Sequence, residues 1–273
     1  MSVRLVLCLF LLFATLQPAA PAVASDAIQP KQKIILFNGT DLDGFTTWLR
    51  DTKTEDPRRV FRVTDGELHI TGDGFGYLGT RERYGDYRLV AEYRWGKKTD
   101  GGKFVRNSGI MLHSVPEDGT YQGVWTSSIE CQLAQGCVGD LIVIRGNDPS
   151  ANPFPVSVAA EVEVAPDGKR HRWKEGGPPK MFPPTRGQLW WSRHDWDFQE
   201  LIDTRGKDDV ESPVGEWTRV ECVCDGDRIE VTVNGHRVNR SERVNPAAGR
   251  ILLQSEGFEL FIRKLELHPL TPE

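Results

Sequence analysis

The sequence predicts an all-β protein, a sandwich or barrel of antiparallel strands, and three observations carry that expectation. Helical periodicity is almost absent along the chain. Gly, Asp, Asn and Pro instead cut it into short runs in which apolar and polar residues alternate, the pattern of strands half-buried in a sheet. Two hairpin signals mark a meander: Asp225-Gly226 joins two such runs, Trp217–Cys224 and Arg228–Asn234, and Asn234-Gly235 is a second turn signal.

The elements follow in order. Arg4 gives a short positive region and Leu5 to Leu16 an apolar run, after which Ala22-Val23-Ala24 reads as a small-x-small cleavage signal. Residues 1–24 are therefore expected to be a signal peptide. The apolar run of about 12 residues is too short for a spanning helix, which needs roughly 20. The protein is expected to be secreted or periplasmic, with no membrane attachment after cleavage. The remaining 25–273 form one β-domain, with no repeat and no low-complexity linker. Strands are expected near Lys33–Phe37, Val60–Val63, Glu67–Thr71, Arg88–Trp95, Asn107–His113, Ser127–Leu133, Asp140–Arg145 and Val156–Val164. Further strands are expected at Trp217–Cys224, Arg228–Asn234, Gly249–Gln254 and Phe258–Leu267. Between Ala165 and Gly215 the chain is rich in Pro, Gly and Trp, and reads as a long loop region that is either functional or ordered by its aromatics.

Composition narrows the function. The net charge of -5 with scattered Lys and Arg gives no basic patch, which argues against a nucleic-acid partner. Eight Trp suit either a sandwich core or the stacking of sugar rings. Of the five cysteines, Cys8 falls in the apolar run, and Cys131, Cys137, Cys222 and Cys224 remain. Export permits disulfides, and Cys131 with Cys137 could close a small loop. Cys222 and Cys224 are poorly spaced for a bridge within one strand. The four do not form paired CxxC knuckles, so their spacing gives no case for a zinc site.

Several segments carry a family resemblance. Leu36-Phe-Asn-Gly-Thr-Asp-Leu-Asp-Gly-Phe45 opens it, followed by Val63-Thr-Asp-Gly-Glu-Leu68, Tyr84-Gly-Asp-Tyr-Arg-Leu89 and Glu92-Tyr-Arg94. Asn107-Ser-Gly-Ile110, Glu130-Cys-Gln132, Gly215-Glu-Trp217, Val233-Asn-Gly235 and Leu253-Gln254 come next, and Ile262-Arg-Lys-Leu-Glu-Leu-His-Pro-Leu270 closes the set. In this order they resemble the 3-keto-disaccharide hydrolase domain family. The resemblance implies a concanavalin A-like jelly-roll sandwich and cleavage of glycosides already oxidised to a ketone at carbon 3. The segment after Gln132, Leu-Ala-Gln-Gly-Cys137, departs from the family pattern, and Glu256 stands where the family often has histidine.

Alternation then suggests which side chains share a surface. Ile129, Cys131 and Leu133 face the core, and Ser128, Glu130 and Gln132 face the other way. Glu92 pairs with Arg94 in the same sense, and Gln254 with Glu256. If these strands lie side by side, one concave polar face bears Glu92, Arg94, His113, Glu130, Gln132, Gln254 and Glu256. The alternative is an ordinary solvated sheet face.

The chemistry implied by the resemblance needs a base for the acidic proton on carbon 2, a donor or metal for the enolate oxygen, and an acid for the leaving group. Glu130 is the expected base, or a metal ligand; His113 or Arg94 would hold the enolate; Glu256 would be the acid. Glu92, Arg94, Asn107, Gln132, Gln254 and Trp125 are the expected substrate-binding residues. No cofactor is certain, and a divalent metal of unknown identity is left open. The partner is a carbohydrate.

Competing chemistries have less support. A two-carboxylate glycosidase could draw on Glu92, Glu130 and Glu256, but the Glu-x-Asp-x-x-Glu strand of sandwich glucanases is missing. There is no G-x-S-x-G elbow and no H-E-x-x-H. His69, His171, His194, His236 and His268 are scattered. Asp195, Asp197 and Asp203 beside Trp190, Trp191 and Trp196 could bind calcium or simply form a solvated acidic loop. The rival of another class is a non-catalytic, lectin-like module.

Overall fold

A computed structural model of the chain describes residues 27–182 and 187–270. The expected signal peptide, residues 1–24, lies outside the described residues. Among those residues there is no α-helix, and none is long and apolar enough to cross a membrane.

The strands are, in chain order, β1 (Ile34–Ile35), β2 (Phe45–Leu49), β3 (Phe61–Thr64), β4 (Glu67–Ile70), β5 (Phe75–Thr80), β6 (Tyr84–Gly85) and β7 (Tyr87–Trp95). Then come β8 (Gly109–Ser114), β9 (Ser128–Gln132), β10 (Leu141–Ile144), β11 (Ser157–Val164), β12 (His171–Trp173), β13 (Pro179–Phe182) and β14 (Gly187–Leu189). The last five are β15 (Thr218–Asp225), β16 (Arg228–Val233), β17 (His236–Asn245), β18 (Ala248–Glu256) and β19 (Leu260–His268). They form two antiparallel sheets. One runs β12-β11-β17-β16-β15-β7-β19-β4-β3, with β1 on β19 and β13 on β11. The other runs β14-β10-β9-β8-β18-β5-β2, with β6 on β18. This is the jelly-roll sandwich that the sequence predicts.

The core between the sheets follows the alternation. Leu89, Ala91, Tyr93 and Trp95 of β7, with Val220, Cys222 and Cys224 of β15, meet Ile110 and Leu112 of β8, Ile129 and Cys131 of β9, and Leu253 of β18. Each fully buried Leu or Ile in such a layer contributes about 1.5–3 kcal/mol. A second apolar cluster lies on the opposite face of the smaller sheet: Tyr77, Met111, Ile142, Ile144 and Leu252, with Val124 and Trp125 from the loop between β8 and β9. That loop covers the face the sequence would leave to solvent, so polar residues of β9 are buried too.

The meander is as expected, shifted by one residue at its first turn. Asp225 pairs with Arg228, so the turn is Gly226-Asp227. At the second turn Val233 pairs with His236, and Asn234 (φ 46°) and Gly235 (φ 81°) both take the left-handed conformation that a two-residue I′ turn demands. The strand it leads into, β17, was not expected, because buried polar residues interrupt its pattern. Asn239 is one of them; its Nδ2 donates to the carbonyls of Gly139 (3.0 Å) and Leu189 (3.2 Å), tying the larger sheet to the smaller.

The long Trp-rich region is partly regular, contributing β12, β13 and β14. Its aromatics stack: Trp190 lies on His194 at 3.7 Å and on Trp196 at 5.4 Å. Its acidic residues are engaged separately, Asp195 by backbone amides of Asp197 and Lys207 and Asp203 by Arg106. The four described cysteines are free thiols. Cys131 points into the inter-sheet core whereas Cys137 packs with Val105 and Ala134 in a separate cluster, so the expected Cys131–Cys137 loop closure is not formed.

Candidate functional site

In the smaller sheet β10, β9, β8 and β18 lie side by side. Register places Glu130 beside Met111 and Ile142, and Gly109 beside Gln132. The outward parity of β9 and β18 therefore brings Glu130, Gln132, Gln254 and Glu256 onto one face, with Ile142 and Ile144 of β10 as an apolar floor. Asn107, Phe104 and, from the covering loop, Tyr121, Gln122 and Trp125 wall it in. Together these residues line a cavity of about 310 Å³, within the range of small-molecule sites.

Three polar side chains of this cavity are buried, and two of its acceptors are unmatched. Glu130 is 5% exposed, Gln132 8% and Gln254 1%. The Oε1 of Gln132 accepts from the backbone amides of Leu133 (3.1 Å) and Ala134 (3.4 Å), which leaves its amide nitrogen to the cavity. Gln254 Oε1 and Asn107 Oδ1 are buried acceptors with no hydrogen-bond partner. An unmatched buried acceptor costs about 1–3 kcal/mol. Two of them at one cavity leave acceptor capacity that a ligand's donors or a cation could take up.

Gly109 explains how these groups come so close. A Cβ there would stand 2.5 Å from Glu130 Oε1 and closer still to Gln254 Oε1. Only a residue without a side chain lets the carboxylate and the amide converge over the strand. The donors offered are oxygens: the Glu130 carboxylate, Gln254 Oε1 and Asn107 Oδ1. That set suits a hard divalent cation rather than a soft one.

Three expected site residues lie elsewhere. His113 follows the parity of Met111 in the sequence, but β8 bulges: Met111 pairs with Leu252 while Ser114 pairs with Arg250. At the bulge His113 takes φ 53° and turns into the core, where its Nδ1–H donates to the Pro246 carbonyl at 2.9 Å and its ring meets Tyr87 edge-on. Burial lowers its pKa to about 4, so it is neutral.

Glu92 and Arg94 do share a face, but on β7 of the other sheet, looking outward. Burial works to raise the Glu92 pKa; Arg263 (2.6 Å), Lys264 (3.6 Å) and Arg219 (3.1 Å) outweigh it and hold the carboxylate below its usual range. Arg94 donates to Glu67 at 2.7 Å and lies between Trp217 and Phe261. Both are parts of a surface ion-pair and cation–π array. Sequence reasoning missed Phe104, Tyr121, Gln122, Ile142 and Ile144. No sequence pattern singles out two isoleucines of a short apolar strand, and the rest sit in loops whose path no periodicity reveals.

A family model for the 3-keto-alpha-glucoside-1,2-lyase-like domain matches residues 32–268. The chain belongs to this family. Glu130 and Gln132, which carry part of the resemblance in the sequence, both line the cavity. No curated protein matches the chain. Among solved structures, one named as a glycosyl hydrolase from Parabacteroides distasonis ATCC 8503 is 16% identical, covers 88% of this chain and 95% of its own, and superposes with a TM-score of 0.50. That likeness is one of fold. A second structure so named from the same organism is 16% identical with a TM-score of 0.48, covering 88% of this chain and 100% of its own. The carbohydrate binding module CBM66 from Bacillus subtilis is 10% identical with a TM-score of 0.43, covering 82% and 94%.

Proposed function

We propose that this family member is an exported enzyme that cleaves 3-keto-glycosides by enolisation and elimination at the cavity of the smaller sheet. One observation carries the reading: Glu130 stands with two unmatched buried acceptors and a glutamine amide around a single sugar-sized cavity walled by Trp125, Tyr121 and Phe104.

In the proposed reaction Glu130 takes the proton from carbon 2, and the bonding pair becomes the carbon 2–carbon 3 double bond of an enolate. Negative charge gathers on the ketone oxygen, which the Gln132 amide N–H would stabilise. The enolate then collapses: the ketone reforms, a carbon 1–carbon 2 double bond forms, and the glycosidic carbon–oxygen bond breaks. Its electron pair leaves with the aglycone oxygen, which Glu256 protonates. No net oxidation occurs, and no covalent nucleophile is used. Addition of water to the unsaturated ketone would complete a hydrolysis. His113 and Arg94, expected to hold the enolate, have no part, because one is sealed in the core and the other faces out from the opposite sheet. A hard divalent cation fits Asn107, Gln254 and Glu130, and when bound would supply positive charge near the enolate.

Export rests on residues 1–24, and Ser25 at the N-terminus of protein recovered outside the cytoplasm is its direct check. The catalytic reading is tested by incubating the protein with a chromogenic 3-keto-glucoside and with the parent glucoside. Release of aglycone from the ketone alone supports it. Binding of sugar with no release from either favours the lectin-like reading, which the aromatic walls also suit.

A further inference from the structure

Behind the Gln132 end of the cavity lies a cluster that the proposed reaction does not use. Cys137, Asp140 and His194 are all buried, and one potential ligand atom from each lies within 4.8 Å of the other two. Cys137 and Asp140 sit on a tight knuckle after β9. There Asp140 N donates to the Cys137 carbonyl at 3.0 Å, and Gly139 takes φ 90°. His194 comes from the Trp-rich region, far away in sequence. We propose that these three side chains form a structural zinc site, with one position left for water.

The donor set and the spacing both support it. A thiolate, an imidazole and a carboxylate form the mixed sulfur, nitrogen and oxygen set that zinc accepts. Nitrogen and oxygen ligands at about 2.0 Å from a tetrahedral ion stand about 3.3 Å apart. His194 Nδ1 is 3.2 Å from Asp140 Oδ2 and 3.3 Å from Oδ1. A zinc thiolate at about 2.3 Å stands about 3.6 Å from such neighbours, and since no ligand atoms here are more than 4.8 Å apart, a shift of at most about 1 Å in the Cys137 side chain closes the cage.

The supporting shell is already built. Trp191 N donates to Asp140 Oδ1 at 2.7 Å and Gln188 Nε2 donates to Oδ2 at 2.9 Å, fixing the carboxylate as outer partners of metal ligands do. Trp190 stacks on the His194 ring, and Phe198 packs against both that ring and the Cys137 cluster. With the thiol 3% exposed, substrate cannot reach it, so a nucleophilic Cys–His–Asp role does not fit. An ion here would pin the Trp-rich region to the end of β9. There Gln132 N donates to the Asp140 carbonyl and Gly139 N to the Gln132 carbonyl, each at 2.9 Å.

The test is cobalt titration of chelator-treated full-length protein, followed by zinc competition. A thiolate-to-cobalt charge-transfer band in the near ultraviolet that saturates at one cobalt per chain, and is displaced by one zinc, is expected. Cys137→Ser should abolish the band and weaken zinc binding roughly 100-fold or more, whereas Cys224→Ser should leave both unchanged. No such band in the wild-type protein, or a band that survives Cys137→Ser, overturns the proposal. The oxygen-only cavity cannot produce a thiolate band, so the outcome is independent of the proposed enzymatic activity.

Discussion

Gly109→Ala perturbs the cavity without removing any of its functional groups. The new methyl would lie 2.5 Å from Glu130 Oε1, 2.8 Å from Glu130 Cγ and closer still to Gln254 Oε1, where ordinary contact begins at 3.4 Å. Both side chains must therefore retreat by about 1 Å, and a misplacement of that size at a reacting centre costs about 100-fold in rate. That corresponds to about 2.7 kcal/mol of transition-state stabilisation. Overpacking adds about 1–3 kcal/mol of lost stability, which leaves the protein folded at room temperature. The assay is kcat/KM for a chromogenic 3-keto-glucoside beside a thermal melt. Gly44→Ala is the control, since its methyl meets nothing nearer than the Leu36 carbonyl at 3.9 Å, and both readings should stay unchanged. A folded Gly109→Ala protein with wild-type kcat/KM would refute the assignment of Glu130 and Gln254 to the reacting centre.

Two further predictions concern pH. Glu211 is buried, accepts from Tyr93 Oη and Trp95 Nε1, and has its pKa raised to about 8, first by burial and then by Asp209. The folded state thus keeps a proton that the unfolded state releases, so this stabilisation is full below about pH 4.5 and is lost as pH rises through 8. Glu211→Gln, which mimics the protonated acid, should flatten the fall in Tm between pH 5 and 9 and be more stable than wild type at pH 9, by an amount on the order of a few kcal/mol. His113 acts on the acid side. Its folded pKa of about 4 lies below the ordinary 6.5, so its contribution is full above 6.5 and lost as pH falls through 4, on the order of 3 kcal/mol. His113→Asn, a residue that tolerates the positive φ and keeps a donor for the Pro246 carbonyl, should lessen that acid loss and retain turnover. A large fall in kcat in the folded variant would return His113 to the reaction.

Much of the fold was legible because it rests on alternation. The faces of β7, β9 and β18 were assigned correctly from period-two patterning, and the Asn234-Gly235 turn from its residue types. β5 was illegible because Gly76 and Gly79 break its pattern, and β17 because Asn239 and Ser241 are buried polar residues within it. The site shows the limit of the method more sharply. Parity states which side of a strand a residue takes, and it placed Glu130, Gln132, Gln254 and Glu256 together. It does not state which sheet the strand joins, so Glu92 and Arg94 were grouped with residues of the other layer. Nor does it foresee a bulge, and one extra residue in β8 carried His113 into the core. The approach of His194 to Cys137 and Asp140 depends on how a long irregular segment folds back, which no local pattern encodes.

Removal of the carbon 2 proton of a 3-keto-glycoside by Glu130 is the step on which the proposed function rests. Single-turnover release of aglycone by wild-type and Glu130→Gln protein, with substrate carrying hydrogen or deuterium at carbon 2, tests it most directly. Rapid release by the wild type with a primary isotope effect is expected, with a loss of about 100- to 10,000-fold in the variant while sugar binding persists. Equal rates for wild type and Glu130→Gln would contradict it.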